Sequence, residues 1–244
     1  MDEEAVKAKI EEIKSSTSLP EAPIISPFSY QMDHMNVIDY IGKVQEYIES
    51  FGYNYTGRPF IRMNRSRGTG HVQNVSKKLM KEALPIQCVE AVFLGTYLTS
   101  GMYDLVRIPI SFKTKFIHGS IHRHIVLAIR YQGKWGAVGI SRRSNLMNKD
   151  ITFSSLSELV QEYKKSYTQC LHKLVTIYFG LPLSHDKFTD QPIKWKATKI
   201  SIAENSDSTI ERKVNQFTSN MTKLSEYFAR EGHLPTTIRK AKII

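Results

Sequence analysis

The hydrophobic period of this chain changes from helical to alternating after Gly101, and a fold of one secondary-structure class cannot accommodate both sides of that change. Upstream, apolar residues recur at helical spacing. Ile38, Ile41, Val44 and Ile48 share one face of a helix over 35–51 that Gly52 can terminate. Val89, Val92, Phe93, Thr96 and Tyr97 share one face of another over 85–101, which Pro85 suits as an entrance and Gly101 as a left-handed exit. Further helices are expected over 4–15, where Val6, Ile10 and Ile13 align, and over 72–84. Pro20, Pro23 and Pro27 mark an extended connector, and residues 53–71 a basic loop. Its Gly68-Thr-Gly70 lacks the rest of a phosphate-loop pattern and a preceding strand.

Downstream the pattern alternates. Ile108, Ile110, Phe112, Thr114 and Phe116 read as a strand, in which Pro109 is tolerable only near an edge or a start. Two runs, 124–131 and 134–141, flank Gln132-Gly133, a hairpin signature. A helix over 155–167, strands over 172–180 and 191–202, and a polar helix over 203–230 follow. The class predicted is α+β, with a helical N-terminal part at 1–84, a core at 85–231 built on an antiparallel sheet, and a loose tail at 232–244.

Composition narrows the function. No apolar run approaches the length of a membrane span, so no membrane partner is expected. Met-Asp-Glu-Glu at the start is not a signal peptide, and two cysteines, Cys88 and Cys170, point to a reducing, cytosolic setting without a disulfide framework. Net charge is +11, but residues 51–149 alone hold sixteen Lys and Arg against Glu82, Glu90 and Asp104. All of the excess therefore surrounds Cys88, and an acidic partner is the expectation.

Cys88 falls in the first turn of its helix, where free N–H groups and the helix dipole favour a thiolate. A small buried residue at a helix start is the plainer reading of the same position. The hairpin adds to it. A two-residue turn at 132–133 opposes Ile125, Leu127 and Ile129 to Ile140, Val138 and Gly136, and the same register faces His124 with Ser141. A helix-start Cys, a strand His and an orienting hydroxyl make a layout suited to acyl transfer through a thioester. His118, His122 and His124 cluster, yet no acid or Cys nearby completes a zinc set, and Cys170-Leu-His172 carries no metal pattern either. No metal or other cofactor is expected. The basic segment also admits a non-catalytic module that binds an acidic partner, although no ribonucleoprotein or helix-turn-helix signature supports nucleic acid.

Tyr53-Asn-Tyr-Thr-Gly57, Lys81-Glu-Ala-Leu-Pro-Ile-Gln-Cys-Val-Glu-Ala91, Pro109-Ile-Ser-Phe-Lys-Thr114, Arg123-His-Ile-Val-Leu127 and Gly139-Ile-Ser-Arg-Arg143 together resemble the vasohibins. Leu156-Ser-Glu-Leu159 and Ser184-His-Asp186 extend the match across roughly residues 4–200. The resemblance implies a transglutaminase-like cysteine-protease core and removal of the C-terminal tyrosine of α-tubulin, in the cytoplasm and on microtubules. It implies Cys88 as nucleophile, His124 as base and Ser141 as orienter. Arg142 would hold the terminal carboxylate, with Tyr53 at the active site and Arg65 and Arg67 facing the acidic tail. Transfer of the acyl group to an amine by the same three residues is the enzymatic alternative, and a non-catalytic microtubule- or nucleic-acid-binding module resting on the basic segment is the alternative from another class. The family often carries Lys just before the nucleophile, where this chain has Gln87, which implies weaker carboxylate recognition or a changed preference for the last residue. Animal members work with small vasohibin-binding protein, which docks on the N-terminal helical part.

Overall fold

A computed structural model describes residues 24–31 and 35–231, together with Glu4, Lys7, Ala8, Glu11, Glu12 and Ser15, which lie in helical turns. Val6, Ile10, Ile13, Pro20 and Pro23, and the expected loose tail at 232–244, lie outside the described residues.

Helix α1 spans Val37–Ser50 and starts where the Asn36 side chain accepts the Asp39 N–H at 2.9 Å. Ile41, Val44 and Ile48 are buried as the spacing requires, whereas Ile38 stands 44% exposed beyond the end of the buried stripe. Helix α2, Thr69–Glu82, ends on Ala83 in the left-handed region, and α3 runs from Cys88 to Leu98. The expected one-faced burial of α3 is corrected: Glu90 through Thr96 are all buried. The reason is its position, since α1 and α2 cover one flank and the sheet the other.

The sheet is antiparallel with strand order β4-β3-β2-β1-β5-β6. Its strands are β1 Val106–Phe116, β2 Ile121–Tyr131, β3 Lys134–Val138, β4 Lys149–Phe153, β5 His172–Phe179 and β6 Thr198–Ser201. Pro109 sits in β1, a central strand, but its carbonyl accepts from Gly180 just where the β5 ladder ends at Phe179. The missing N–H therefore costs no ladder bond. The β2–β3 turn is the two-residue one, with φ of 46° at Gln132 and 80° at Gly133. At Gly136 the sheet needs bare backbone, since a Cβ there would stand 2.6 Å from the Lys149 carbonyl oxygen of β4.

Both faces of the sheet are covered. Ile125, Leu127 and Ile129 of β2 pack into one core with α1, α2 and α3, while Val126 and Ala128 pack into a second with α4 and α5. Burial on both faces explains why 125–129 reads as an unbroken apolar run. Helix α4, Leu156–Gln169, begins at the Ser155 cap, and α5, Asp207–Glu231, closes the fold. The polar reading of α5 is incomplete, because Ile210, Val214, Phe217, Met221 and Leu224 form a buried stripe. The strand expected over 191–202 shrinks to β6, since residues before it leave the sheet to reach the basic loop. Trp195 stacks on Phe93 of α3, at 5.6 Å between ring centroids, and its indole N–H donates to the Arg65 carbonyl at 2.7 Å. Among the described residues no helix is long and apolar enough to cross a membrane.

Candidate active site

The site forms where the start of α3 meets β2. Ile86 pairs with the chain at Tyr53, its N–H donating to Gly52 and its carbonyl accepting from Asn54. That short bridge brings Tyr53 beside the helix start. Gln87 then caps α3, half-buried, and its N–H donates to Glu90 Oε2 at 2.6 Å. Glu90 is 1% exposed. Burial pushes its carboxyl up, against the N–H groups of Gln87 and Ile61 that draw it down.

Cys88 is the first residue of α3, and the N–H groups of Ile125, Val89 and Cys88 itself approach its sulfur, with Arg65 nearby. These favour a thiolate, as the helix-start argument anticipates. Burial outweighs them and pushes the thiol up. Burial thus works against the thiolate expected from position alone.

His124 shares a cavity of about 230 Å³ with Cys88. Its ring lies nearly parallel to Phe112, and its Nε2 sits 2.8 Å from the carbonyl oxygen of Leu146. A carbonyl only accepts, so Nε2 carries the hydrogen and Nδ1 is the basic nitrogen. Burial pushes the imidazole down to about 4, partly opposed by the Leu146 bond. Leu146 itself ends a short 3-10 turn, Ser144–Leu146, held by the Tyr163 hydroxyl donating to Met147 O at 2.7 Å.

The His124–Ser141 facing pair is corrected. The register through the turn is as the sequence requires, with Leu127 opposite Val138 and Ile129 opposite Gly136, but the ladder stops at Leu127–Val138. Gln45 of α1 takes both backbone groups of Gly139 at 2.9 Å each, and the chain beyond leaves the sheet. Ser141 Oγ instead accepts the Arg143 N–H at 3.3 Å. Its place at the imidazole is filled by Leu146, which acts through its backbone, so no side-chain identity in the sequence marks it.

The remaining expected residues separate into two groups. Arg142 lies over the rings of Tyr53 and Tyr55, at 5.4 and 5.7 Å from their centroids. Burial pushes the Tyr53 hydroxyl up, with the Cys88 sulfur adding to the effect and the Arg142 guanidinium drawing it back. Arg65 lines the Cys88 cavity along with Lys113, Arg123 and Lys196, three cations that sequence reasoning counted only as net charge. Their alternation along β1 and β2 is the signal that could have found Lys113 and Arg123. Arg67 is not on the cavity wall; its carbonyl accepts from Ile193, and its charge helps to depress His71, whose shift burial dominates. His122 and His172 meet edge-to-face at 4.9 Å, and among the described residues no three His, Cys, Asp or Glu converge on a metal-sized site.

The depressed His124 has a measurable consequence. Between about pH 6.5 and 4 the unfolded chain takes up a proton at this residue and the folded protein does not, so folded stability falls as pH drops through that window. Thermal melts at pH 4.5 and 7 are expected to differ less for His124→Gln than for the parent. An equal difference in both proteins would place the acid sensitivity elsewhere.

A half-buried thiol at a helix start, a strand imidazole and an aromatic-held arginine are thus gathered by segments that carry the resemblance to the vasohibins, with the Leu146 carbonyl that orients the imidazole just beyond them. Tubulinyl-Tyr carboxypeptidase 1 from mouse is 42% identical over 190 residues, covering 78% of this chain. The chain spans about half the length of that curated relative, 50%. The family model described as Vasohibin matches residues 2–222, nearly the whole of the described fold, and this chain belongs to the vasohibin family.

Proposed function

We propose that this chain is a thiol carboxypeptidase that removes the C-terminal tyrosine from the acidic tail of α-tubulin. The observation that carries the reading is the convergence of Cys88 and His124 on one cavity. Beside it, Arg142 makes no ion pair among the described residues. The relative's name supports the substrate.

In this mechanism Cys88 Sγ attacks the carbonyl carbon before the last residue and passes its proton to Nδ1 of His124. Proton transfer within the pair suits a resting thiol and a neutral imidazole. N–H groups at the start of α3 hold the oxyanion. His124 then gives its proton to the departing amine, the peptide bond breaks, and tyrosine leaves as a free amino acid. Water attacks the thioester, His124 takes one of its protons, and the thiol is restored as the shortened tail departs. Leu146 O keeps the imidazole in the required tautomer throughout. The Ser141 hydroxyl, which accepts from Arg143, retains its own hydrogen to donate, so Ser141 fits beside Arg142 as a carboxylate ligand better than as an orienter.

Arg142 receives the terminal carboxylate, with Tyr53 against its guanidinium and the uncharged Gln87 contributing an amide where the family often has a cation. Arg65 at the cavity, and Arg67 further out, attract the acidic residues upstream. Cytoplasmic, microtubule-associated action follows from that substrate, and small vasohibin-binding protein is the proposed partner of the N-terminal helical part. The test uses tyrosinated tubulin, with the detyrosinated end read by immunoblot and free tyrosine by mass, with and without that partner. Release of tyrosine is expected; an intact tail under both conditions would sink the proposal.

A further inference from the structure

Tyr55 lies outside the Cys88 cavity and is assigned no part in the mechanism above. It is 70% exposed, an unusual position for a large aromatic side chain that is nevertheless well held. The hold is local. Asn54, 1% exposed, accepts from the Thr56 N–H at 2.9 Å and the Thr56 hydroxyl at 2.7 Å, and donates to the Arg58 carbonyl at 2.9 Å. This buried Asx turn fixes the backbone on both sides of Tyr55. The ring meets Tyr53 edge-on at 5.2 Å, and the Arg142 guanidinium lies over both rings.

An exposed arginine carries considerable rotamer freedom, and ordering it on binding a carboxylate costs affinity. Two aromatic faces reduce that cost beforehand, because the attraction of each for the planar cation leaves most of its hydrogen-bond donors available for a carboxylate. Tyr53 alone offers one such face, and Tyr55 supplies the second. We infer that Tyr55 is a positioning residue for recognition of the substrate's terminal carboxylate, its ring holding the Arg142 guanidinium in place next to Tyr53. The inference rests on the proposed carboxypeptidase reading.

The experiment measures binding without turnover. In a Cys88→Ala background, affinity is determined for one acidic peptide ending in tyrosine, with either a free C-terminal carboxylate or a C-terminal amide. Tyr55→Leu, which keeps bulk but not the aromatic face, is expected to weaken the acid peptide about three- to five-fold. It should leave the amide peptide unchanged, and Tyr55→Phe should restore the acid affinity. Equal weakening of both peptides would mean a purely structural role and overturn the inference, as would an acid affinity indifferent to Tyr55→Leu. If the Cys88→Ala parent itself fails to prefer acid over amide, carboxylate recognition fails, and both readings fall together. Because Tyr55 is exposed, none of these variants removes core packing.

Discussion

Cys88→Ala and His124→Gln are each expected to lower kcat for tyrosine release by about 10³-fold or more, and the double variant to fall no further than either alone. The non-additivity follows from the resting protonation state. Burial pushes the Cys88 thiol up and the His124 imidazole down to about 4, which favours a neutral pair in which neither group is ready until one hands its proton to the other. Removing the imidazole leaves a thiol with no acceptor. Removing the sulfur leaves a base with nothing to activate. The measurement is single-turnover release of tyrosine from a tail peptide across the set. Losses that multiply in the double variant would show the two residues acting independently, and tyrosine release that persists in Cys88→Ala would remove it as nucleophile. The same arrangement predicts a broad rate plateau from about pH 6 to 8, since a neutral imidazole is already present throughout that range.

The second large effect is on binding. Arg142→Ala should raise KM by about 30-fold or more with a smaller change in kcat, the range expected when a charge-assisted pair to a carboxylate is lost. Arg142→Lys should recover only part, because an ammonium lacks the planar fork and packs less well over the Tyr53 and Tyr55 rings. A fall in kcat with KM unchanged would move Arg142 from binding to the chemical step. Gln87→Lys is the complementary variant, adding a cation at the α3 cap beside the same carboxylate.

Much of the site was legible before any coordinates. Helical spacing around Cys88 and the Gln132-Gly133 turn together placed a thiol at a helix start and a histidine on the adjoining strand, and both survive in the fold. Hairpin register also held as far as Leu127–Val138. What failed was extrapolation beyond the point where another element intervenes. Gln45 lies far from Gly139 in sequence, and its capture of that residue's backbone is what ends the ladder before Ser141. In the same way, Trp195 reads as strand until its indole is found on Arg65, a long-range bond no local pattern encodes.

By itself, then, the sequence determined the α+β class, the basic surround and the placing of Cys88 at a helix start and His124 on a strand, because periodicity, charge and side-chain chemistry are local properties. Tertiary structure alone decided two things. One is the orienter of His124: every residue has a carbonyl, and only the fold of the 144–146 turn against Tyr163 brings the one on Leu146 to Nε2. The other is the direction in which the Cys88 thiol is moved. A helix start favours the thiolate, but the packing of α3 between two helices and a sheet withdraws water from the sulfur, and that desolvation outweighs the N–H groups and the Arg65 charge around it.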